Sequence, residues 1–259
     1  MPNMKSNAAA GSRFAVWLSG PNIAAAEIAA AIGYRTAVLD IEHGTFDLAA
    51  LDAFVPLLKA LGFTVIGKVA APERAPIQQA LDFGADAVAI PHVESVEHAA
   101  EVCAFAKFPP HGKRSFAGGR TARYGGIDDA WVKAQDAETL CYPMIEDASA
   151  LADIEAILAL PVVDGVFIGP TDLSFSRGRG SYKRTPADFS DLTRIAAAAN
   201  SAGKHWLLPS WSDEEKRFAL AHHAHCLVLT MEFGALAQGL RTAWDNTAKL
   251  VAEQPEGAG

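Results

Sequence analysis

Cysteine is scarce: Cys103, Cys141 and Cys226 form an odd, widely spaced set among 259 residues, with no CxxC pair. A disulfide framework is therefore excluded, and the three read as reduced thiols of a cytoplasmic protein. No apolar run approaches the length of a membrane span. Basic residues are outnumbered, the formal net charge being -8, which argues against nucleic-acid and membrane-surface partners. No Gly-rich dinucleotide fingerprint follows the first apolar burst. Nothing reads as an interdomain linker, so one domain is expected at this length. Arg13 interrupts any signal-peptide core, and residues 1–12 and 254–259 read as disordered tails flanking a domain over 13–253.

What the chain does have is alternation. Short, charge-poor bursts at residues 14–18, 36–39, 63–69, 87–90, 140–145, 166–168, 205–208 and 226–229 read as strands. Between them lie helical patterns such as Leu48, Leu51, Phe54, Val55 and Leu58, and a closing helix over 233–251. Eight strands alternating with helices predict a single-domain α/β protein with the (β/α)8 TIM-barrel fold. An open doubly wound sheet is the alternative, and it more often carries the missing fingerprint.

Polar residues gather where the strands end. Val166-Phe167-Ile168 runs into Gly169-Pro170 and then Asp172. Gly169 lets the backbone approach a ligand, and Pro170 stops the strand. Asp40, Glu42 and His43 follow the second strand, Lys68 lies near the end of the third, His92 follows the fourth and Glu146 the fifth. In a barrel these ends share one face, so distant residues converge there. Glu146 and Asp172 end adjacent strands. Two carboxylates without neighbouring cysteine or clustered histidine suit Mg²⁺ or Mn²⁺, with water and substrate oxygens completing the shell. The plainer alternative is that both cap helices. His43 has a side chain suited to proton transfer near neutrality, with Asp40 or Glu42 to orient it.

Two cationic, Gly-rich stretches stand out in an acidic chain. Residues 107–126 hold Lys107, Lys113, Arg114, Arg120 and Arg123 without an acid, and residues 177–184 hold Arg177, Arg179, Lys183 and Arg184. Both are expected on the site face, clamping an anionic substrate. The cluster His222-His-Ala-His225 falls before the eighth strand, at the opposite end, and is not read as a metal site. Trp206 and Trp211 are assigned to packing ahead of the site mouth.

The segments Asp40-x-Glu-His-Gly44, Leu81-Asp-x-Gly-Ala85, Gly112-x-Arg114, Ile145-Glu146 and Gly169-Pro-x-Asp172-Leu occur in this order. Together, over about residues 14–245, the chain resembles the class II pyruvate aldolases of the HpcH/HpaI type, which include 4-hydroxy-2-oxoheptanedioate and 2-dehydro-3-deoxyglucarate aldolases. The resemblance implies a barrel whose C-terminal helix is swapped between subunits, in a hexamer built as a trimer of dimers, or a trimer. It implies a divalent metal on Glu146 and Asp172, His43 as acid/base helped by Asp40, and a pyruvate carboxylate held by the amides around Gly169 to Asp172. Gly169, Pro170, Thr171, Arg114, Glu42 and His92 are the candidate substrate-binding residues.

Three positions depart from that pattern. Lys68 stands where the family commonly has an arginine that polarises the keto oxygen, and lysine cannot make the planar two-pronged contact. Met144 stands where a glutamine is common, and His92 follows Pro91 where an apolar residue is usual. The expected activity is a metal-dependent carbon–carbon lyase acting on a small anionic 2-oxo acid and an aldehyde through a pyruvate enolate. Lys68 would supply positive charge at the enolate oxygen. A Schiff base on Lys68 is the less economical route. The alternatives are citrate-synthase-like or acyl-CoA lyase chemistry on a related acid, and a non-catalytic anion-binding relic.

Overall fold

The computed structural model describes residues 13–253; the expected tails at 1–12 and 254–259 lie outside the described residues. Eight parallel strands close into a barrel in chain order: β1 (Phe14–Leu18), β2 (Thr36–Asp40), β3 (Thr64–Lys68), β4 (Ala87–Ile90), β5 (Leu140–Ile145), β6 (Gly165–Ile168), β7 (His205–Pro209) and β8 (Cys226–Met231). Around them run α1 (Ile23–Ile32), α2 (Leu48–Ala60), α3 (Arg74–Asp82), α4 (Val96–Cys103), α5 (Asp129–Glu138), α6 (Ala148–Ala152), α7 (Ile154–Ala159), α8 (Pro170–Ser176), α9 (Pro186–Ser201), α10 (Asp213–Ala221) and α11 (Glu232–Ala252). Every expected strand is present within two residues at each end. Among the described residues, no helix is long and apolar enough to cross a membrane.

The helices begin where short polar side chains can hold their unpaired first amides. Asn22, Asp47, Ser95, Asp128, Asp147, Thr185 and Ser212 each accept such a bond. Two helices had no apolar signal. In α10 the start is Asp213-Glu-Glu-Lys-Arg, and the legible mark is the reciprocal cap between Ser212 and Glu215. In α8 the mark is Pro170 in the first turn. The helix expected through Ile154 and Leu158 is two pieces, α6 and α7, meeting at Asp153.

Two apolar compartments result. Leu18, Leu39, Phe54 and Val65 pack outward against helices, whereas Trp17, Val38, Ile66, Met144 and Phe167 fill the barrel. Side chains alternate along a strand. Inward Val38 therefore turns Asp40 inward, Ile66 does the same for Lys68, Met144 for Glu146, and Phe167 for Gly169. The apolar filling of the barrel thus carries a polar layer on its C-terminal end.

Candidate active site

That layer is one connected network. Asp40 and Lys68 are register partners on β2 and β3, and the Lys68 ammonium lies 3.3 Å from Asp40 Oδ1 and bonds Glu42 Oε2. Glu42 Oε1 lies 2.6 Å from His92 Nε2. The main-chain N–H of His92 donates to Glu146 Oε1 at 2.6 Å. Asp40, Lys68 and Glu146 are buried, so their pairing is enforced by the cost of leaving a charge alone in the barrel. Burial alone would raise the Glu42 carboxyl, but the Lys68 hydrogen bond and charge, together with His92, outweigh it and bring it below its ordinary value. Glu146 goes the other way: burial raises it, and the nearby Asp172 charge adds to that, against the His92 amide and the Lys68 charge.

Two glycines permit this packing. A side chain at Gly44 would collide with the backbone oxygens of Asp40 and Ser19; Gly44 N–H donates to Asp40 O at 3.0 Å, closing the tight turn that presents His43. A side chain at Gly169 would run into Glu146. His43 projects into solvent, its side chain 69% exposed, with Nε2 3.5 Å from Glu42 Oε2. Asp40 takes the His43 main-chain N–H at 3.2 Å, so the ring faces Glu42 and the backbone faces Asp40.

Neither carboxylate proposed for the metal is a helix cap. Asp147 caps α6, accepting from Ser149 N at 2.8 Å, and Gly169 precedes α8. Asp172 is exposed in the first turn of α8, beside Thr171 and Pro170, near enough for its charge to act on the buried Glu146. Among the described residues, no group of three or more His, Cys, Asp or Glu side chains is placed to hold a metal ion alone. The donor set that remains is two all-oxygen side chains, which fits a hard divalent cation completing its shell with water and substrate oxygens.

Arg114 does not join this cluster. It is buried below the site with its guanidinium on Asp82 Oδ1 at 3.0 Å and over the Phe108 ring. The expectation for the cationic stretches is corrected with it. Residues 107–126 follow α4, and a segment leaving a helix begins at the N-terminal face of the barrel. Lys107 there bonds Asp164 and the carbonyls of Asp136 and Thr139, and Arg120 grips Asp52 on α2. In the second stretch Arg177 and Arg179 pair with Asp188 and Asp191 on α9, and Arg184 pairs with buried Glu215 on α10. These cations tie the chain's own acids.

Trp17 is the site residue that motif reading missed. Its Nε1 donates to Asp40 Oδ2 at 3.2 Å and its ring lies 5.9 Å from the Lys68 ammonium. The signal was its inward parity on β1, one layer below the polar end. Trp211 packs edge-on against Trp17 at 6.3 Å, while Trp206 is buried outside the barrel against Phe218.

A closed (β/α)8 barrel with acids, an ammonium and imidazoles converging past the carboxyl ends of its strands is the arrangement of a barrel enzyme's active site. The chain belongs to the HpcH/HpaI aldolase/citrate lyase family, whose model matches residues 13–230. It is thereby a member of the class II pyruvate aldolases. It is 36% identical over 241 residues to a hydroxypyruvate/pyruvate aldolase of Roseobacter denitrificans, covering 92% of this chain and 91% of that protein. It is 33% identical over 192 residues to a 4-hydroxy-2-oxovalerate aldolase of Novosphingobium aromaticivorans, covering 72% of this chain and 73% of that one. Among solved structures, an HpcH/HpaI aldolase from Desulfitobacterium hafniense superposes with a TM-score of 0.83 at 27% identity, covering 98% of each chain.

Proposed function

We propose that the protein is a divalent-metal-dependent aldolase that cleaves or forms a 4-hydroxy-2-oxo acid from a pyruvate-type donor and an aldehyde. The observation that carries this reading is the charge balance of the polar layer. Among the described residues, Lys68 is the one ammonium that acts on Asp40, Glu42 and Glu146, and the Asp172 charge adds to theirs beside Glu146. A 2-oxo acid brings a further negative charge, so the site needs a cation before it can accept one. Glu146 and Asp172 would hold Mg²⁺ or Mn²⁺. When bound, that ion supplies the positive charge against which an enolate can form.

The chain's own groups do the rest. In cleavage, His43 takes the proton from the 4-hydroxyl, directly or through a water, as the C3–C4 bond breaks and its electron pair passes into the enolate. In synthesis it returns that proton to the new hydroxyl. Asp40 and Glu42 fix His43 from the backbone and ring sides. Lys68 sets positive charge beside the enolate oxygen while held by both acids. The first-turn amides of α8 at Thr171 and Asp172, left without helical partners, face the donor's carboxylate.

The same reading includes assembly. None of the 21 residues of α11 is buried, and Phe233, Leu236, Leu240 and Trp244 are exposed on it at helical spacing. Ile28 and Ile32 of α1 are exposed beside it, across a groove that Phe233 and Leu236 also line. A helix with this face covers it with another copy of the chain. This face supports the reading of a homo-oligomer, a trimer of dimers or a trimer, with the C-terminal helix swapped between subunits. Free, buried Cys103, Cys141 and Cys226 suit a reducing, cytoplasmic setting.

The test is an aldehyde panel with pyruvate or hydroxypyruvate, with and without Mg²⁺ or Mn²⁺, followed by product identification. Metal-dependent aldol products are expected. Binding of pyruvate without exchange of its methyl protons would support the anion-binding relic instead.

A further inference from the structure

His92 carries more than its place in the network. It follows Pro91 past β4 with φ at +56°, a left-handed backbone that residues other than glycine adopt uncommonly and at a cost. Burial does not hold it there, because the side chain is 58% exposed. Its ring has two carboxylate neighbours, Glu42 Oε1 at 2.6 Å from Nε2 and, more distantly, Glu146 Oε1 at 3.6 Å from Nδ1. Glu42 is itself fixed through its other oxygen by Lys68, and Lys68 by Asp40. What the left-handed turn achieves is the aim of the His92 N–H, which donates to Glu146 Oε1 at 2.6 Å. On its other side Glu146 is backed by Gly169.

We infer that His92 is a positioning residue: its ring, tied to Glu42, holds the left-handed turn whose amide presets the Glu146 carboxylate for a divalent cation. The inference rests on the metal-dependent reading above. It makes the ion pair of β2 and β3 a remote part of the cation site on β5. It also divides Glu42 between its two oxygens, Oε2 facing Lys68 and His43 and Oε1 facing His92. Groups that orient a metal ligand in this way usually govern affinity by about 10–100-fold.

The experiment is Mn²⁺ titration of the full chain, with free Mn²⁺ read by electron paramagnetic resonance, for wild type, Glu146→Gln, His92→Ala, His92→Asn and His92→Gly. Glycine takes a positive φ without strain and asparagine does so readily, whereas alanine does not. The expected order of affinity is wild type, then His92→Gly within about threefold, His92→Asn close to it, and His92→Ala weaker by about tenfold or more. Recovery by glycine, which has no ring, is the mark of a backbone role. Equal loss in His92→Gly and His92→Ala would overturn the inference and give the ring a direct part. Wild-type affinity in His92→Ala would overturn it as well. Should His92→Ala fail to fold, a His92→Gly protein that binds tenfold more weakly than wild type overturns it on its own. Unaltered Mn²⁺ binding in Glu146→Gln, or none in wild type, would bring down the metal reading and this inference together. Intact wild-type binding with a flat His92 series removes only the inference.

Discussion

Both ends of the barrel hold titratable groups and use them oppositely. At the carboxyl end, Asp40 and Glu42 pair with Lys68 and Glu146 accepts the His92 main-chain N–H, with His43 and His92 reaching solvent above them. At the amino end, His205 and His225 stack at 3.5 Å, Tyr142 Oη meets His205 Nδ1 at 3.0 Å, and Cys226 lies buried beside them. Among the described residues no acid forms an ion pair with the imidazoles there, and the Asp164 charge acting on His205 is outweighed by its loss of water. Loss of water pushes His225 down to about 4 and Cys226 up to about 12, and raises Tyr142. Burial without a counter-charge keeps a group neutral and makes it packing; burial with one keeps charges in place and makes chemistry.

The largest effect expected is at the carboxyl end. Chelator should abolish aldol activity and Mg²⁺ or Mn²⁺ restore it, and Glu146→Gln should lower Mn²⁺ affinity more than about 100-fold. Full turnover by metal-free protein would end the metal reading and return Lys68 to a Schiff-base role. Next comes His43→Ala, with a loss of about 10²–10⁴-fold in kcat and little change in Mn²⁺ binding. An unchanged pH–rate profile in that variant would pass the base to another group, His92 first.

Lys68→Ala leaves the buried Asp40 and the half-buried Glu42 without their cation, so it should cost about 3 kcal/mol of stability in urea unfolding. It should also lower kcat and kcat/KM together. Deuterium exchange into pyruvate separates the two effects, and exchange equal in wild type, Lys68→Ala and Lys68→Arg would place Lys68 outside the enolate's reach. The smallest effect lies at the amino end. The folded value of His225, about 4, is below the ordinary 6.5, so the unfolded chain binds the extra proton between them. Its contribution is complete above about pH 6.5 and is lost as pH falls toward 4. His225→Gln should therefore flatten the acid limb of stability by about 1 kcal/mol, since one face of the ring is open to water, or roughly 2–4 °C in Tm. Pyruvate exchange near neutrality should not change. A loss of exchange in His225→Gln would erase the contrast between the two ends.

The residues alone determined the barrel, because eight charge-poor bursts and the helical spacing between them are local properties of the chain. They also placed Asp40, Glu42, His43, Lys68, His92, Glu146 and Asp172 on one face, since a residue after a barrel strand can end only there. Local pattern could not show whom a charge would meet. Arg114 read as a substrate clamp until the packing of α3 gave it Asp82, and the cationic stretch 107–126 read as a lid although it leaves a helix and starts at the other end. Lys68 is bound on both sides because β2 and β3 pair in one register, and the left-handed His92 meets Glu42 through its ring only because β2 and β4 end on the same face. Side-chain period is written residue by residue, whereas an ion pair needs two distant segments brought within about 4 Å, and only the closed barrel does that.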